Sequence, residues 1–248
     1  MIKLWAAVVG FVAILAAPSA AMAQEKSAVR PGFVLKPGSA KILLFRPKIS
    51  VGAQSTGGMF EPNADWTAQA RENLSAALDE AQAHLGNRVV AAAEPVGPAA
   101  QTLAAYQSLF SVVAESVIEY QFFKGNRLPT KKRKGEFDWT VGPGVAALGQ
   151  DTGCDYALFL VTDDQYGSTG RKVLQVFAAL ARVPVAVGVH KGFAGLIDLR
   201  TGDLVWLNAD LQMGGDVRSQ AGAAKRMGQL LADFPGRPIV TEPSSEGK

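Results

Sequence analysis

The sequence predicts a mixed α/β (α+β) fold, with a mixed β-sheet of about five strands, helices packed on it, and a C-terminal β-hairpin followed by a final helix. Three observations carry this expectation. Short apolar runs bounded by turn residues recur at 41–47, 88–93 and 155–162, the mark of buried strands. Apolar residues spaced three to four apart fill stretches between them, the mark of helices that cover a sheet. The segment LIDLRTGDLVWLN, Leu196 to Asn208, reads as two apolar strands joined by a polar turn.

The elements follow in order. Residues 24–40 carry Pro31, Gly32, Pro37 and Gly38 with little periodicity and read as an extended arm. KILLFRP (41–47) is a buried strand stopped by Pro47, and the Gly-, Ser- and Asn-rich 48–64 reads as a long loop. Asp65 can cap a helix whose apolar face includes Trp66, Ala70, Leu74, Ala77, Leu78, Ala81 and Leu85, stopped at Gly86-Asn87. RVVAAA (88–93) is a second short strand. Pro98 opens a second helix with Leu103, Tyr106, Phe110, Val113, Val117 and Tyr120 on its stripe.

The segment 123–137 changes character: Lys131-Lys132-Arg133-Lys134 lies between Pro129 and Gly135 and reads as an exposed basic loop. Asp138 is a candidate cap for a short helix through Leu148. DYALFLVT (155–162) is a strong buried strand, read as ending at Asp163-Asp164. In 171–189, Val173 to Leu180 has helical spacing, and Arg182 and Pro184 divide the stretch, so it does not read as a membrane span. The hairpin turn Arg200-Thr201-Gly202-Asp203 calls for a positive φ at Gly202. Because both faces of its strands are apolar, the hairpin belongs in the middle of the sheet. The last helix spans about 216–233, aligning Ala221, Ala224, Met227, Leu231 and Phe234, and 235–248 reads as a disordered tail.

The N-terminus bounds the compartment. Lys3 precedes an apolar run from Leu4 to Ala17, and Ala21-Met22-Ala23 supplies small residues before Gln24. This is the layout of a signal peptide (1–23) cleaved after Ala23, which implies a periplasmic protein with a single domain over 41–234 and no membrane span in the mature chain. Loss of Lys3 with the leader lowers the formal net charge from +3 to +2, so general attraction to nucleic acid is not expected. With Cys154 as the sole cysteine, no internal disulfide is available and packing alone holds the fold. Cys154 reads as a buried, inert thiol.

The residues DYALFLV, GLIDLRTGDLVW and Gly215-Asp216-Val217-Arg218 together resemble bacterial envelope proteins of the curli-secretion-channel (CsgG-like) and TolB N-terminal-like group. The resemblance rests on a central strand, then D-x-x-T-G-x-x-x-W on a hairpin, then a final helix, and covers about 41–234. It implies a lipoprotein or assembly-factor relative. Channel-forming members carry a lipidated N-terminal Cys and membrane-crossing hairpins. This chain has no Cys near the cleavage point and a single apolar insert, 171–189, which argues against a pore.

Catalytic patterns are weak. Asp163 and Asp164 sit at a strand's carboxyl end, where α/β folds place ligands, but no spaced acidic or His partner accompanies them. His84 and His190 belong to no zinc motif, and a Cys154–His190 nucleophile pair has no local signature. GSTGRK (167–172) departs from phosphate-loop spacing yet offers glycines with Arg171 and Lys172 to an anion. No cofactor or metal is expected. The leading expectation is a non-enzymatic periplasmic envelope protein that binds a partner or assists assembly. Its candidate contact surface to an envelope protein or anionic envelope surface is Lys131, Lys132, Arg133, Lys134, Asp163, Asp164, Arg171 and Lys172. One alternative is a hydrolase or ligand-binding enzyme using Asp163 or Asp164. Another is a membrane-associated oligomer through 171–189.

Overall fold

The computed structural model describes residues 26–123, 126, 136–186 and 188–237. The leader, the basic run Lys131–Lys134 and the tail from 238 onward lie outside the described residues. The strands are β1 (Ser27–Val29), β2 (Lys41–Leu44), β3 (Lys48–Gln54), β4 (Phe60–Pro62), β5 (Arg88–Ala91), β6 (Trp139–Thr140), β7 (Tyr156–Gly167), β8 (Val189–Asp198) and β9 (Asp203–Asp210). The helices are α1 (Ala64–Gln82), α2 (Pro98–Val117), α3 (Thr169–Leu180) and α4 (Gln220–Leu230).

All nine strands join one mixed sheet whose main path runs β1-β9-β8-β7-β2-β5. The C-terminal hairpin is central, as its two-sided apolarity requires: β8 pairs antiparallel with both β7 and β9. The outer edge of β9 is covered by β1 and β6. On its other side β7 takes two parallel partners in succession. Tyr156–Leu158 pair with β2 and Val161–Gly167 pair with β3, and Pro47 breaks the edge between them.

Alternation along β7 divides the core. Leu158 and Leu160 face α1 and α4, packing with Leu74, Leu78, Trp206, Met227 and Leu230. Ala157, Phe159 and Val161 face α2, packing with Phe110, Ala114 and Val117. The result is three layers, helix on sheet on helix, in which each buried leucine contributes roughly 2 kcal/mol.

The strand count exceeds the expected five because four strands are too short or too polar to announce themselves. KISVGAQ, read as loop, becomes β3 because the long β7 supplies a hydrogen-bonding edge from Val161 to Gly167. Gly52 is required there: a Cβ would lie 2.3 Å from the Glu61 carbonyl of β4. Likewise Ser27–Val29 of the expected arm pairs with Trp206–Asn208. β7 does not stop at Asp163-Asp164 but continues to Gly167.

Helix ends moved for identifiable reasons. Asn63, not Asp65, caps α1, its Oδ1 accepting from the Trp66 N–H at 2.9 Å. Beyond α2, a π-helical turn at Ile118–Phe122 shifts the phase, burying Ile118 and Phe122 and leaving Tyr120 exposed. Trp139–Thr140 form a strand against Leu204 and Asp203, followed by a 3₁₀ run at Pro143–Gly149 rather than a helix capped by Asp138. In α4 the buried positions are Ala223, Arg226, Met227 and Leu230, a stripe rotated from the expected one. Cys154 is half-buried rather than buried.

The hairpin turn is built as the sequence predicts, with Gly202 at φ 78°. Asp198 Oδ1 accepts from the Arg200 and Thr201 N–H groups, and the Gly202 carbonyl accepts from the Val141 N–H at 2.8 Å and the Thr140 hydroxyl at 2.9 Å. The turn therefore also docks the 140–142 segment. A Cβ at Gly202 would fall 2.0 Å from the Gly142 carbonyl oxygen. Gly202→Ala should lower stability by at least ~2 kcal/mol through the positive φ and this collision, read as a reduced denaturant midpoint with unchanged slope.

Candidate functional site

Among the described residues, a buried cluster of charge lies where β7 passes under α4. Along β7, Thr162 and Asp164 continue the alternation of Leu158 and Leu160 and so face α1 and α4. On α4, Arg226 stands in the same stripe as Ala223, Met227 and Leu230. The two side chains meet fully buried, both at 0% exposure.

Their pairing is saturated. Arg226 Nη1 donates to Asp164 Oδ2 at 2.8 Å and Nη2 to Asp164 Oδ1 at 2.7 Å. Nη1 also donates to the Thr162 hydroxyl at 2.6 Å, Nε to the Gly214 carbonyl at 3.1 Å and Nη2 to the Gly215 carbonyl at 3.2 Å. These five bonds use all five N–H groups of the guanidinium. Asp164 receives two further bonds, from the Thr162 hydroxyl at 2.8 Å and from His190 Nδ1 at 2.8 Å. Burial pushes the Asp164 carboxyl up, but the bonds from His190, Arg226 and Thr162 outweigh it and hold the group below the ordinary carboxylate range. Since an ionised carboxylate only accepts, His190 carries its proton on Nδ1.

A second charged cluster adjoins the first. The Tyr166 ring lies 4.9 Å from that of His190 and 6.0 Å from that of Trp66. The Arg218 guanidinium covers Tyr166 at 3.7 Å and Trp66 at 4.6 Å while forking onto Asp216 at 2.9 and 2.7 Å. This fork holds Asp216 well below its usual range. Burial, together with Asp164 and Asp216, drives the Tyr166 phenol upward, so it stays protonated. On the other face of β7, Lys191 reaches Glu115 of α2 at 3.0 Å and Asp163 at 3.6 Å. Burial raises the Asp163 carboxyl, and Lys191 offsets part of that.

The adjacent pair Asp163-Asp164 thus does not act as a pair. Successive strand residues point to opposite faces, and Asp164 has no free lone-pair direction for a cation or a substrate proton. Fully buried, Asp164 is thus neither at the carboxyl end of its strand nor on the expected contact surface. His190 is brought to Asp164 but not to Cys154: on β8 it pairs with the second half of β7, while Cys154 precedes the start of β7, roughly 30 Å away along the strand. Among the described residues no group of three His, Cys, Asp or Glu side chains is placed to hold a metal ion. Arg226 was missed in the sequence. The available signal was a cation in register with Ala223, Met227 and Leu230.

The other candidates lie beyond β7. Arg171 is anchored, its Nε donating to the Ala186 carbonyl at 3.0 Å and its Nη1 to the Thr56 carbonyl at 3.1 Å, while Lys172 is exposed. Both belong to α3, which Ser168 caps by accepting from the Arg171 N–H. Every residue of α3 except Arg171 and Ala178 is exposed. Its apolar side chains face outward: Val173 is 50%, Val176 63%, Phe177 64% and Leu180 79% exposed, and Val183 beyond the helix 54%.

Comparison with known proteins leaves the chain without an assigned family. No protein-family model matches it, and no curated protein matches it. Among solved structures, a point variant of the PelC dodecamer from Paraburkholderia phytofirmans is similar at 13% identity and TM-score 0.37, covering 86% of this chain and 97% of that one. The PelC dodecamer itself gives 11% identity and TM-score 0.36 at the same coverage. The lipoprotein GNA1162 from Neisseria meningitidis gives 19% and 0.28, covering 69% and 78%. Likenesses this distant carry no conclusion about function.

Two outcomes are expected at the buried pair. Arg226→Met strands the Asp164 carboxylate and should cost roughly 3–5 kcal/mol, whereas Arg226→Met with Asp164→Leu should recover most of that, as a double-mutant cycle in denaturant would record. The depressed Asp164 carboxyl contributes stability that is present above its unfolded pKa of about 4 and is lost as pH falls through the folded value. Asp164→Asn should therefore flatten the acid limb of melting temperature against pH.

Proposed function

We propose that this chain is a non-enzymatic accessory protein of the bacterial envelope, working by binding through the surface that α3 presents. The observation that carries the reading is the exposure of the apolar stripe of α3. An ordinary surface helix buries its apolar stripe and shows its polar side; here Val173, Val176, Phe177 and Leu180 face away from the protein. Contiguous exposed apolar side chains of this kind mark interaction sites.

Three further observations support it. Asp164, one of the two carboxylates that the hydrolase alternative named, is fully engaged by Arg226, Thr162 and His190, which supports a structural role for it. The apolar leader and small-residue cleavage pattern support export to the periplasm. The D-x-x-T-G-x-x-x-W hairpin, which resembles that of CsgG-like and TolB N-terminal-like proteins, supports an envelope setting. No helix among the described residues is long and apolar enough to cross a membrane.

A photocrosslinker placed at Phe177 in intact cells should capture an envelope component, protein or lipid. The same probe at the exposed His84, at the far end of α1, should not. Equal capture at both positions, or substrate turnover by the purified protein that survives every α3 substitution, would count against the reading.

A further inference from the structure

We infer that α3 is a membrane-surface anchor, lying flat on an anionic lipid surface with Val173, Val176, Phe177 and Leu180 below the headgroups and Lys172 and Arg182 among the phosphates. This rests on α3 being the working surface of the protein; what it adds is the chemistry of the occupant. Charge decides it. From Gln165 to Ile197 the chain has no Asp or Glu, while Arg171, Lys172, Arg182 and Lys191 all fall within that stretch. Lys172 stands four residues before Val176, so it borders the apolar stripe. Arg182, in the left-handed region at φ 58°, ends the helix and keeps Val183 on the exposed side. An apolar stripe edged by cations is the composition of a helix that lies in a membrane interface.

A second copy is a poorer fit on the same observations. Pairing α3 with itself would bring Lys172 and Arg182 against like charges with no carboxylate on the segment to answer them. A 12-residue helix is about 18 Å long, too small alone to supply the roughly 800 Å² per partner of a stable protein interface. A bilayer sets no such minimum, since it accepts whatever apolar area is offered and adds attraction to each cation.

The fold also holds the helix ready for this use. Ser168 caps its start, and Arg171 ties its inner side to the Thr56 and Ala186 carbonyls. The outward phase of the stripe is thus set by hydrogen bonds on the opposite side, and no refolding is needed to present it.

The test is vesicle flotation of the protein recovered from the periplasm of a bacterial host, its N-terminus verified by mass spectrometry. Vesicles of phosphatidylethanolamine with phosphatidylglycerol are compared with phosphatidylcholine alone. The protein should float with the anionic vesicles and much less with the neutral ones. Salt at about 1 M, where screening shortens to ~3 Å, should weaken the difference. Lys172→Gln with Arg182→Gln should lower partitioning onto anionic vesicles roughly 25-fold, about fivefold per cation. Val176→Asp with Phe177→Asp should abolish flotation while leaving the melting temperature unchanged, because both residues are exposed. Flotation that survives the aspartates overturns the inference. If the protein floats with no vesicle while a crosslinker at Phe177 still captures a protein neighbour or a second copy, the lipid assignment falls and the binding reading stands. If neither flotation nor crosslinking responds to α3 substitution, both fall.

Discussion

One buried ion pair sets the constraint that its surroundings must meet. Asp164 and Arg226 bring opposite charges into a site with no exposure to water, and such burial is tolerable only if every donor and acceptor is engaged. That condition reaches outward. Gly214 and Gly215 must present their carbonyls to Arg226, which fixes the chain between β9 and α4. Thr162 must turn its hydroxyl toward both partners, and His190 must lie against Asp164, which seats the start of β8. The pair therefore ties β7, β8 and α4 together more specifically than the leucines around it.

The same saturation separates structure from chemistry in this molecule. Paired aspartates at a strand's carboxyl end look like a site, and in the fold they become two unrelated contacts on opposite faces. Asp164 joins α4 to the sheet, and Asp163 with Lys191 and Glu115 joins α2 to it. Helices on both sides are thereby anchored by charge at the end of the sheet from which α3 projects. The Asp164–Arg226 pair lies inside, and the projecting helix carries apolar groups outside.

Where the sequence was legible, local chemistry and tertiary demand agreed. The central strand, the two-sided hairpin and the Gly202 turn could be read because apolar alternation and turn residues specified them without a partner. β3 could not, because KISVGAQ becomes a strand only beside the long edge of β7. Arg226 was hidden for the opposite reason: on an amphipathic helix a cation is assigned to solvent unless its buried acid is known. The outward stripe of α3 showed in the sequence as helical apolar spacing, but spacing does not say which side meets the protein. That depended on Arg171 bonding to Thr56, more than a hundred residues away in the chain.

The alternation of β7 has a consequence for assembly of the sheet itself. Only even-numbered residues of its second half face α4, and only Asp164 among them is charged. A slip of one residue would exchange the faces, and the slip that presents Gln165 to α4 would leave the Arg226 guanidinium opposite a neutral amide in a dry core. To the packing cost of mispairing Phe159, Leu160 and Val161 in a close-packed core, that slip adds the cost of an unpaired buried charge. Arg226 acts in this sense as a proofreader of register against that slip, adding an electrostatic cost to the steric one.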